Sequence, residues 1–257
     1  MERFANTKAL ITGGSRGIGA AVARRLAAEG AAVTITYHRH AELARALVSE
    51  LTGAGHTAFA FRCDVRDRAA AQVLARQAAD SMGGLDVLVS NAGVEYFGPL
   101  AGITEEDFRQ VFDTNVAGQL YAVQAAVPLM TGGGRIVLMS SVSAGIAVFE
   151  HSLYAASKAA VVALARNLAP ELAARNIAIN AIAPGGTATD MAAENARHYT
   201  HPLLRGHDLP ASTQIGLHAS LGRLAGPEEI AAAITFLVSP DAAYLNGSTL
   251  AADGGWM

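Results

Sequence analysis

The feature that most constrains this chain is an alternation of short apolar runs with longer segments of helical periodicity. The apolar runs predict buried strands at residues 9–12, 32–37, 57–62, 85–89, 135–140 and 177–182. The segments between them predict helices at residues 18–29, 41–51, 68–82, 105–130 and 154–174. Strands that are apolar on both faces and are each followed by a helix indicate a parallel sheet covered on both sides. We therefore expect an α/β, doubly wound fold that binds its ligands above the carboxyl ends of the strands.

A single domain is expected over residues 1–257, because the chain contains neither a linker-like segment nor an internal repeat. Histidine, proline and glycine interrupt the periodicity at about residues 186–226. A loop-rich stretch of that length inside a compact domain is typically functional, and we interpret it as a substrate lid. A last helix at 227–238 and a last strand at 247–252 complete the pattern.

Composition and charge exclude several classes of function. Apolar residues make up 51% of the chain and charged residues only 16%, which supports a large buried core. The net charge of −3 argues against a nucleic-acid partner, since phosphate binding usually requires a basic surface. No segment approaches the roughly 20 unbroken apolar residues of a membrane span. The polar N-terminus does not resemble a signal peptide.

The cysteine and histidine content indicates neither disulfides nor metal. The single cysteine, Cys63, fits a reducing compartment and is interpreted as a small buried residue. His198 and His201 are close in sequence, but no cysteine or carboxylate completes a recognisable metal-binding set. We therefore expect a soluble cytoplasmic protein with no metal and no membrane partner.

A glycine-rich loop follows the first predicted strand and leads directly into a helix. Such a loop permits a tight turn and close approach of the backbone to a pyrophosphate, which the helix N-terminus favours electrostatically. A purely structural turn is the alternative, and the position of the loop after the first strand favours dinucleotide binding. The candidate binding residues are Gly13, Ser15, Arg16, Gly17, Ile18 and Gly19.

The end of the second predicted strand indicates which dinucleotide is preferred. Sites that prefer NAD carry an acidic residue there, which binds the ribose 2′-hydroxyl. This chain has His38 and Arg39 instead, and Arg16 is available from the glycine-rich loop. These cations predict binding of a 2′-phosphate, and hence NADP(H) in preference to NAD(H). The alternative is that they are solvated surface charges.

Tyr154 and Lys158 lie four residues apart at the start of a predicted helix, so both side chains face the same side. A free tyrosine has a pKa of about 10, and a nearby cation favours the phenolate. The pair is therefore a candidate for exchanging a proton with a substrate oxygen. A tyrosine and a lysine at this spacing also occur by chance, so the pair needs support from the rest of the chain.

That support comes from motifs that occur in order along nearly the whole chain. The motifs are the 12–19 loop, Asp64-Val65, Asn91-Ala92-Gly93, Asn115, Ser141, Tyr154 with Lys158, Pro184-Gly185 and Thr189-Asp190-Met191. With them, the chain resembles the short-chain dehydrogenase/reductase family, which implies a Rossmann fold and a hydride exchange between a nicotinamide cofactor and a carbonyl or alcohol.

The resemblance implies a role for each catalytic residue. Tyr154 would donate the proton in reduction and accept it in oxidation. Lys158 would bind the nicotinamide ribose and lower the pKa of the tyrosine. Ser141, thirteen positions before Tyr154, would hydrogen-bond the substrate carbonyl, and Asn115 would anchor a water relay. Ser140 and Ser143 are neighbours of Ser141; strand alternation turns Ser140 to the other face, and Ser143 stays a candidate substrate contact.

The cofactor contacts that the resemblance implies extend along the strand ends. Asp64 would accept from the adenine amino group, with the Val65 backbone at the ring edge. Residues Asn91, Ala92 and Gly93 would pack on the adenosine ribose, and Asn91 would also brace the sheet. Gly186 departs from the bulky residue that is common in the family. The remaining contacts would come from Pro184, Gly185, Thr187 and Thr189, the two threonines meeting the nicotinamide carboxamide.

The substrate pocket would be lined by Glu95, Tyr96 and Phe97 and closed by the lid, which includes Tyr199. The lid resembles those of naphthol and polyketide ketoreductases, and we expect NADPH-driven reduction because cellular NADP is largely reduced. The alternatives are a 3-oxoacyl carrier-protein reductase, an NAD-dependent alcohol dehydrogenase working oxidatively, and a dinucleotide-sensing binding protein. Relatives commonly form tetramers, which implies a homotetramer.

Overall fold

The computed structural model describes residues 2–199, 210 and 218–256. These residues form a seven-stranded sheet in the order β3-β2-β1-β4-β5-β6-β7, and every pair of neighbouring strands is parallel. The single-domain, doubly wound α/β fold predicted from the sequence is confirmed. The strands are β1 (Lys8–Thr12), β2 (Ala32–Tyr37), β3 (Ala58–Arg62), β4 (Val87–Ser90), β5 (Gly134–Met139), β6 (Ile177–Pro184) and β7 (Thr249–Ala252).

Helices cover both faces of the sheet, as the strand pattern predicts. The helices in the described ranges are α1 (Gly17–Ala28), α2 (Ala41–Gly53), α3 (Arg68–Met82), α4 (Glu105–Phe112), α5 (Gly118–Ala126), α6 (Ser152–Ala173), α7 (Asp190–Asn195) and α8 (Pro227–Leu237). None of them is long and apolar enough to cross a membrane.

Successive strand residues feed two separate cores, one on each face of the sheet. Ile11 packs in the core that α1, α2 and α8 cover, whereas its neighbour Leu10 packs in the core covered by α3, α5 and α6. This follows from the alternation of side chains along a strand. Both faces are buried, so the strands are mostly apolar, and the exceptions such as Thr34 and Asn180 are buried polar residues.

Local sequence signals set several of the helix ends. Asp67 caps α3 by accepting from the backbone N–H groups of Ala69 and Ala70, and Gly83 ends that helix with a φ of +76°. Thr104 and Asp107 form a capping box at the start of α4. These caps explain why the predicted helix bounds at 68–82 and the start at 105 agree with the structure.

The predicted continuous helix at 105–130 is wrong in detail. A π-helical turn, Asp113–Ala117, separates α4 from α5, and a 3₁₀ turn, Val127–Leu129, follows α5. The π turn places Asn115, whose side-chain amide bonds both backbone groups of Val94. Single π turns inside helices frequently occur at functional sites, and this one is located beside the cavity described below.

The predicted lid at 186–226 lies partly outside the described residues. Residues 200–209 and 211–217 are among those not described, so His201 and the central part of the lid lie outside the described residues. In the described part, α7 is followed by a 3₁₀ turn, Ala196–His198. Thr187 forms a parallel bridge to Ala225, which joins the two ends of the segment.

Candidate active site

A cavity of about 410 Å³ opens above the carboxyl ends of the parallel strands, where the chain reverses its strand order between β1 and β4. This is the position at which doubly wound folds bind ligands. Most of the residues singled out in the sequence line it. They are Gly13, Ser15, Arg16, Gly17, Ile18, His38, Arg39, Asp64, Val65, Asn91, Ala92, Gly93, Glu95, Ser141, Ser143, Tyr154, Lys158, Pro184, Gly185, Thr187, Thr189 and Tyr199.

The glycine-rich loop has the shape that a pyrophosphate requires. Gly13 and Gly17 have φ values of +63° and +55°, which residues with a side chain rarely adopt. A Cβ added at Gly19 would lie 2.5 Å from the Gly13 carbonyl oxygen and 2.6 Å from Asn91 Nδ2. The first turn of α1 contains no acidic residue, so its free N–H groups face the cavity without a competing carboxylate on that turn. The loop therefore fits a dinucleotide.

Asn91 holds this loop against β4. Its side-chain amide donates to the carbonyls of Thr12 and Gly13, each at 3.0 Å. The Thr12 hydroxyl in turn accepts from the backbone N–H groups of Asn91 and Ala92. The predicted bracing role of Asn91 is thus visible as four hydrogen bonds between the ends of β1 and β4.

The far end of the cavity carries the residues expected at the adenosine. Asp64 is bound through both carboxylate oxygens by Arg66 and lies 3.7 Å from His38 Nε2. The Arg66 hydrogen bonds lower the pKa of the Asp64 carboxyl to about 2 despite partial desolvation. Arg66 was not predicted from the sequence, although its position two residues after Asp64 indicates a possible ion pair. Val65 packs on the start of α5, where a Cβ at Gly118 would lie 2.9 Å from Val65 Cγ2.

Arg16 makes contacts that the sequence did not predict. Its guanidinium forms ion pairs with Asp190 at 3.4 Å and Glu194 at 3.1 Å, both on α7. It lines the cavity from the glycine-rich loop, yet its charge is directed towards the lid. His38 and Arg39 lie at the end of β2, whereas the Arg16 guanidinium is paired with carboxylates of α7.

The hydroxyl groups of Tyr154 and Ser141 meet at the centre of the cavity. Tyr154 lies in the first turn of α6 and is buried, and the neighbouring Ser141 hydroxyl partly offsets the rise in the pKa of its phenol. The Ser141 Oγ also accepts from the backbone N–H of Ser143 at 3.2 Å. The Ser140 hydroxyl donates to the Lys158 carbonyl at 2.9 Å, so strand alternation separates the two serines as expected.

The electrostatics of this pair of α6 residues depart from the sequence-based prediction. Burial, together with the negative charge of Glu95, raises the pKa of Tyr154 rather than lowering it. Burial also lowers the pKa of Lys158 to about 8. The Lys158 Nζ donates to the Met139 carbonyl at 2.9 Å and lies 5.4 Å from the Tyr154 ring centroid. Desolvation disfavours the charged form of both groups, and spacing along a helix does not reveal that.

Asn115 connects the π turn to α6. Its Nδ2 donates to the Ser157 hydroxyl at 3.0 Å, and that hydroxyl donates to the Tyr154 carbonyl at 2.7 Å. A Cβ added at Gly93 would lie 3.1 Å from Asn115 Oδ1 and 3.4 Å from Lys158 Nζ. The Asn115 amide and the Lys158 ammonium therefore approach the same glycine. Ser157, which completes the connection, was not predicted from the sequence.

The residues predicted to contact substrate do not all face the cavity. Glu95 does: its side chain is only 5% exposed, and its carboxylate accepts a hydrogen bond from the Tyr199 hydroxyl. Tyr96 does not line the cavity, because its hydroxyl donates to Asp107 at the start of α4. Its assignment to the substrate pocket stays a prediction, because neighbours in an extended segment point in opposite directions and Glu95 is the one of the two that lines this cavity.

The two threonines after β6 stabilise the segment that leads into α7. The Thr187 hydroxyl donates to the Gly185 carbonyl at 3.0 Å, and the Thr189 hydroxyl caps α7 by accepting from Ala192 N. Gly186 accepts from Ala225 N at 2.9 Å, so the missing bulky side chain leaves a regular backbone pairing. Both threonines line the cavity.

Two further residues at the cavity were missed. His151, one helical turn before Tyr154, is fully buried between the rings of Phe97 and Tyr154. Trp256, the single tryptophan, lines the cavity and stacks on His218 with 5.6 Å between ring centroids. The spacing of His151 to Tyr154 was a signal in the sequence, whereas the approach of the C-terminal residues depends on the tertiary fold.

Comparison with known proteins agrees with this geometry. The family model described as "Enoyl-(Acyl carrier protein) reductase" matches residues 13–257. The chain is 39% identical over 254 residues to the hydroxynaphthalene reductase-like protein Arp2 of Metarhizium majus, covering 98% of this chain and 95% of the relative.

Solved structures resemble the chain over its full length. A short-chain dehydrogenase from Burkholderia cenocepacia in complex with NADP superposes with a TM-score of 0.87 at 37% identity and 98% coverage of each chain. A 7α-hydroxysteroid dehydrogenase complexed with NADH and 7-oxo glycochenodeoxycholic acid superposes with a TM-score of 0.90 at 33% identity, covering 99% of this chain and 96% of the other.

Proposed function

Because the chain belongs to the short-chain dehydrogenase/reductase family, we propose that it reduces a ketone to a secondary alcohol with NADPH, Tyr154 donating the proton. The observation that carries this proposal is that the neighbouring hydroxyls of Tyr154 and Ser141 line the same cavity as the glycine-rich loop. When bound there, the nicotinamide supplies the hydride, and the protein supplies orientation and proton transfer.

The chain's own groups perform the remaining chemistry. The hydroxyls of Ser141 and Tyr154 bind the carbonyl oxygen and stabilise the negative charge that develops on it. Burial raises the pKa of Tyr154, which keeps the phenol protonated and hence able to donate. The Lys158 ammonium, held by the Met139 carbonyl, is adjacent to the Tyr154 ring and binds the ribose hydroxyls. Asn115 and Ser157 hold the start of α6 in register with this group.

We propose that NADPH is preferred over NADH. The end of β2 offers His38 and Arg39 and no carboxylate of its own, and the nearby Asp64 carboxylate is paired with Arg66. The bound NADP in the Burkholderia cenocepacia relative supports this choice, whereas the NADH of the steroid dehydrogenase relative shows that the fold accommodates either cofactor. Parallel titrations with NADPH and NADH, with Arg39→Ala as the variant, test it; tighter binding of NADH by the unchanged protein would contradict it.

The proton donor is tested with Tyr154→Phe. We expect turnover to fall at least about 100-fold, because the phenylalanine ring cannot donate a proton, while NADPH affinity changes little. Binding is followed by energy transfer from Trp256, the single tryptophan, to the reduced nicotinamide. Tyr244→Phe is the matched control, because Tyr244 is fully exposed and far from the cavity. Turnover of Tyr154→Phe close to that of the control would refute the assignment.

We propose that the ketone is part of a ring system. The names of the relatives support this, and apolar side chains line the substrate end of the cavity, among them Ile146, Val148 and Met191. A panel of cyclic ketones, naphthols or quinones, and 3-oxoacyl thioesters, each with NADPH, tests the proposal. Preference for the thioesters would support the carrier-protein reductase alternative instead. Faster oxidation of secondary alcohols with NAD than reduction with NADPH would support the oxidative alternative.

We also propose a homotetramer, on the resemblance to the family. Phe108 on α4 is half exposed and stacks on Phe112 with 4.4 Å between ring centroids, which leaves an apolar surface on that helix. Light scattering should give about four times the 26.4 kDa chain mass, and a value equal to one chain would contradict the proposal.

A further inference from the structure

An imidazole is enclosed by aromatic rings directly behind the proposed proton donor. The His151 ring lies between Phe97, with centroids 4.1 Å apart and planes 5° from parallel, and Tyr154, at 4.5 Å and 16°. His198 stacks on the outer face of Phe97 at 5.1 Å. His151 is the residue before α6, and its side chain is fully buried. The four rings form one column, with His198 at one end and Tyr154 at the other.

The polar atoms of His151 have no hydrogen-bonding role in this column. Within the described residues, neither ring nitrogen has a hydrogen-bond partner of good geometry. An apolar ring would fill the same space without leaving two nitrogens unsatisfied, so packing does not account for a histidine here. The group that its Nε2 approaches is the Glu95 carboxylate, whose Oε1 lies 3.3 Å away.

Glu95 is a buried carboxylate that needs a counter-charge. Its side chain is 5% exposed, and it accepts a hydrogen bond from the neutral hydroxyl of Tyr199. No arginine or lysine forms an ion pair with it among the residues that the structure describes, and the Lys158 ammonium is bound to the Met139 carbonyl. A buried carboxylate without a cation is strongly disfavoured, so the adjacent imidazole is the available partner.

The charge of Glu95 matters for the reaction because it acts at Tyr154. Glu95 and Tyr154 line the same cavity, and the negative charge of Glu95 contributes to the raised pKa of the phenol. An unpaired Glu95 carboxylate in this cavity would also oppose the negative charge that develops on a carbonyl oxygen during reduction. The other titratable side chains at this corner are Lys158 from α6 and His198 and Tyr199 from the segment after α7.

We propose that His151 is a positioning residue that carries a proton shared with Glu95, so that a neutral ion pair rather than a bare carboxylate lies behind Tyr154. The proposal rests on the proposed ketone reduction for its kinetic consequence, whereas the charge state of His151 can be tested without turnover. The stacked imidazolium holds the Tyr154 ring in place, and Tyr199 connects the pair to the lid.

A double-mutant cycle tests the proposal. His151→Phe keeps the stack but leaves Glu95 unpaired, and we expect kcat to fall at least about tenfold while NADPH affinity changes little. Glu95→Gln removes the charge that acts on Tyr154 and is the second single variant of the cycle. The double variant should regain most of the kcat lost by His151→Phe, because it contains no unpaired charge. His56→Phe, a histidine between α2 and β3, is the matched control.

The outcomes separate this proposal from a purely structural role. If His151 only fills space, His151→Phe will resemble the unchanged enzyme, and adding Glu95→Gln will not improve kcat; either result overturns the proposal. Nitrogen-15 NMR of labelled histidine, with His151→Phe to assign the signal, reports the charge directly. An imidazolium signal from His151 at pH 7.5 that is lost in Glu95→Gln is expected. A neutral imidazole there overturns the proposal even if the enzyme reduces no ketone tested.

Discussion

Burial of the Lys158 ammonium should lower the free energy of unfolding of this protein, and the loss can be measured. The chain contains two lysines, Lys8 and Lys158. Lys158 is 3% exposed, and burial lowers its pKa from the ordinary 10.5 to about 8. At pH 7 the ammonium is therefore protonated in both the folded and the unfolded protein, but it is less favourable in the folded one.

The difference in pKa sets the magnitude of this effect. Each pKa unit corresponds to about 1.4 kcal/mol, so a protonated Lys158 costs the folded protein about 3 kcal/mol at pH 7. Lys158→Met should then raise the free energy of unfolding by about 2–3 kcal/mol. The Met139 carbonyl stays bonded after the change, because Gln119 Nε2 also donates to it at 3.1 Å.

The stability that Lys158→Met adds should depend on pH. Because the folded pKa lies below the unfolded one, the unfolded chain binds more protons between about pH 8 and pH 10.5. The cost of burying the ammonium is fully present below pH 8 and disappears as the pH rises to 10.5. The stability gained by Lys158→Met should therefore be large at pH 7 and close to zero at pH 10.5.

Urea unfolding of the cofactor-free protein at several pH values measures this difference. Lys8→Met is the matched control, because the Lys8 ammonium is partly exposed and 3.8 Å from Asp86. Carbon-13 NMR of labelled lysine should show a Lys158 resonance that titrates near pH 8. A Lys158 resonance that titrates near 10.5, or a Lys158→Met variant less stable than the unchanged protein at pH 7, would refute the reasoning.

Two further substitutions and one thiol-labelling experiment have defined outcomes. Gly19→Ala places a Cβ 2.5 Å from the Gly13 carbonyl oxygen, so NADPH affinity should fall at least about tenfold in a fluorescence titration; unchanged affinity would contradict the tight loop. Gln119→Leu removes the hydrogen bonds to both backbone groups of Met139 and should lower the free energy of unfolding, measured in urea, by about 1–3 kcal/mol. An unchanged free energy would mean that Gln119 only fills space. Burial raises the pKa of Cys63 to about 11, so the native protein should resist a thiol reagent at pH 8 and react once unfolded; rapid native reaction would argue against that burial.

Much of the fold and the position of the site follow from the sequence alone. Apolar strands that alternate with helices have few ways to bury both faces, and the parallel sheet is the stable one. Once the strands are parallel, their carboxyl ends meet at one edge. Residues at those ends, such as Gly13, Asn91 and Ser141, therefore converge although they are far apart in the chain.

What the tertiary structure decided is the environment of those residues. Glu95 meets Tyr199, and Arg16 meets Asp190, across 104 and 174 positions of sequence. The π turn at Asn115 ends a helix that the apolar pattern predicts to continue.

Tyr154 and Lys158 show the physical reason most directly. Their shared helix face is a local property with a period of 3.6 residues, and four positions of spacing suffice to predict it. Their pKa values depend on how completely other segments exclude water and on where Glu95 lies. Burial and charge are sums over the whole fold, so only the folded chain determines them.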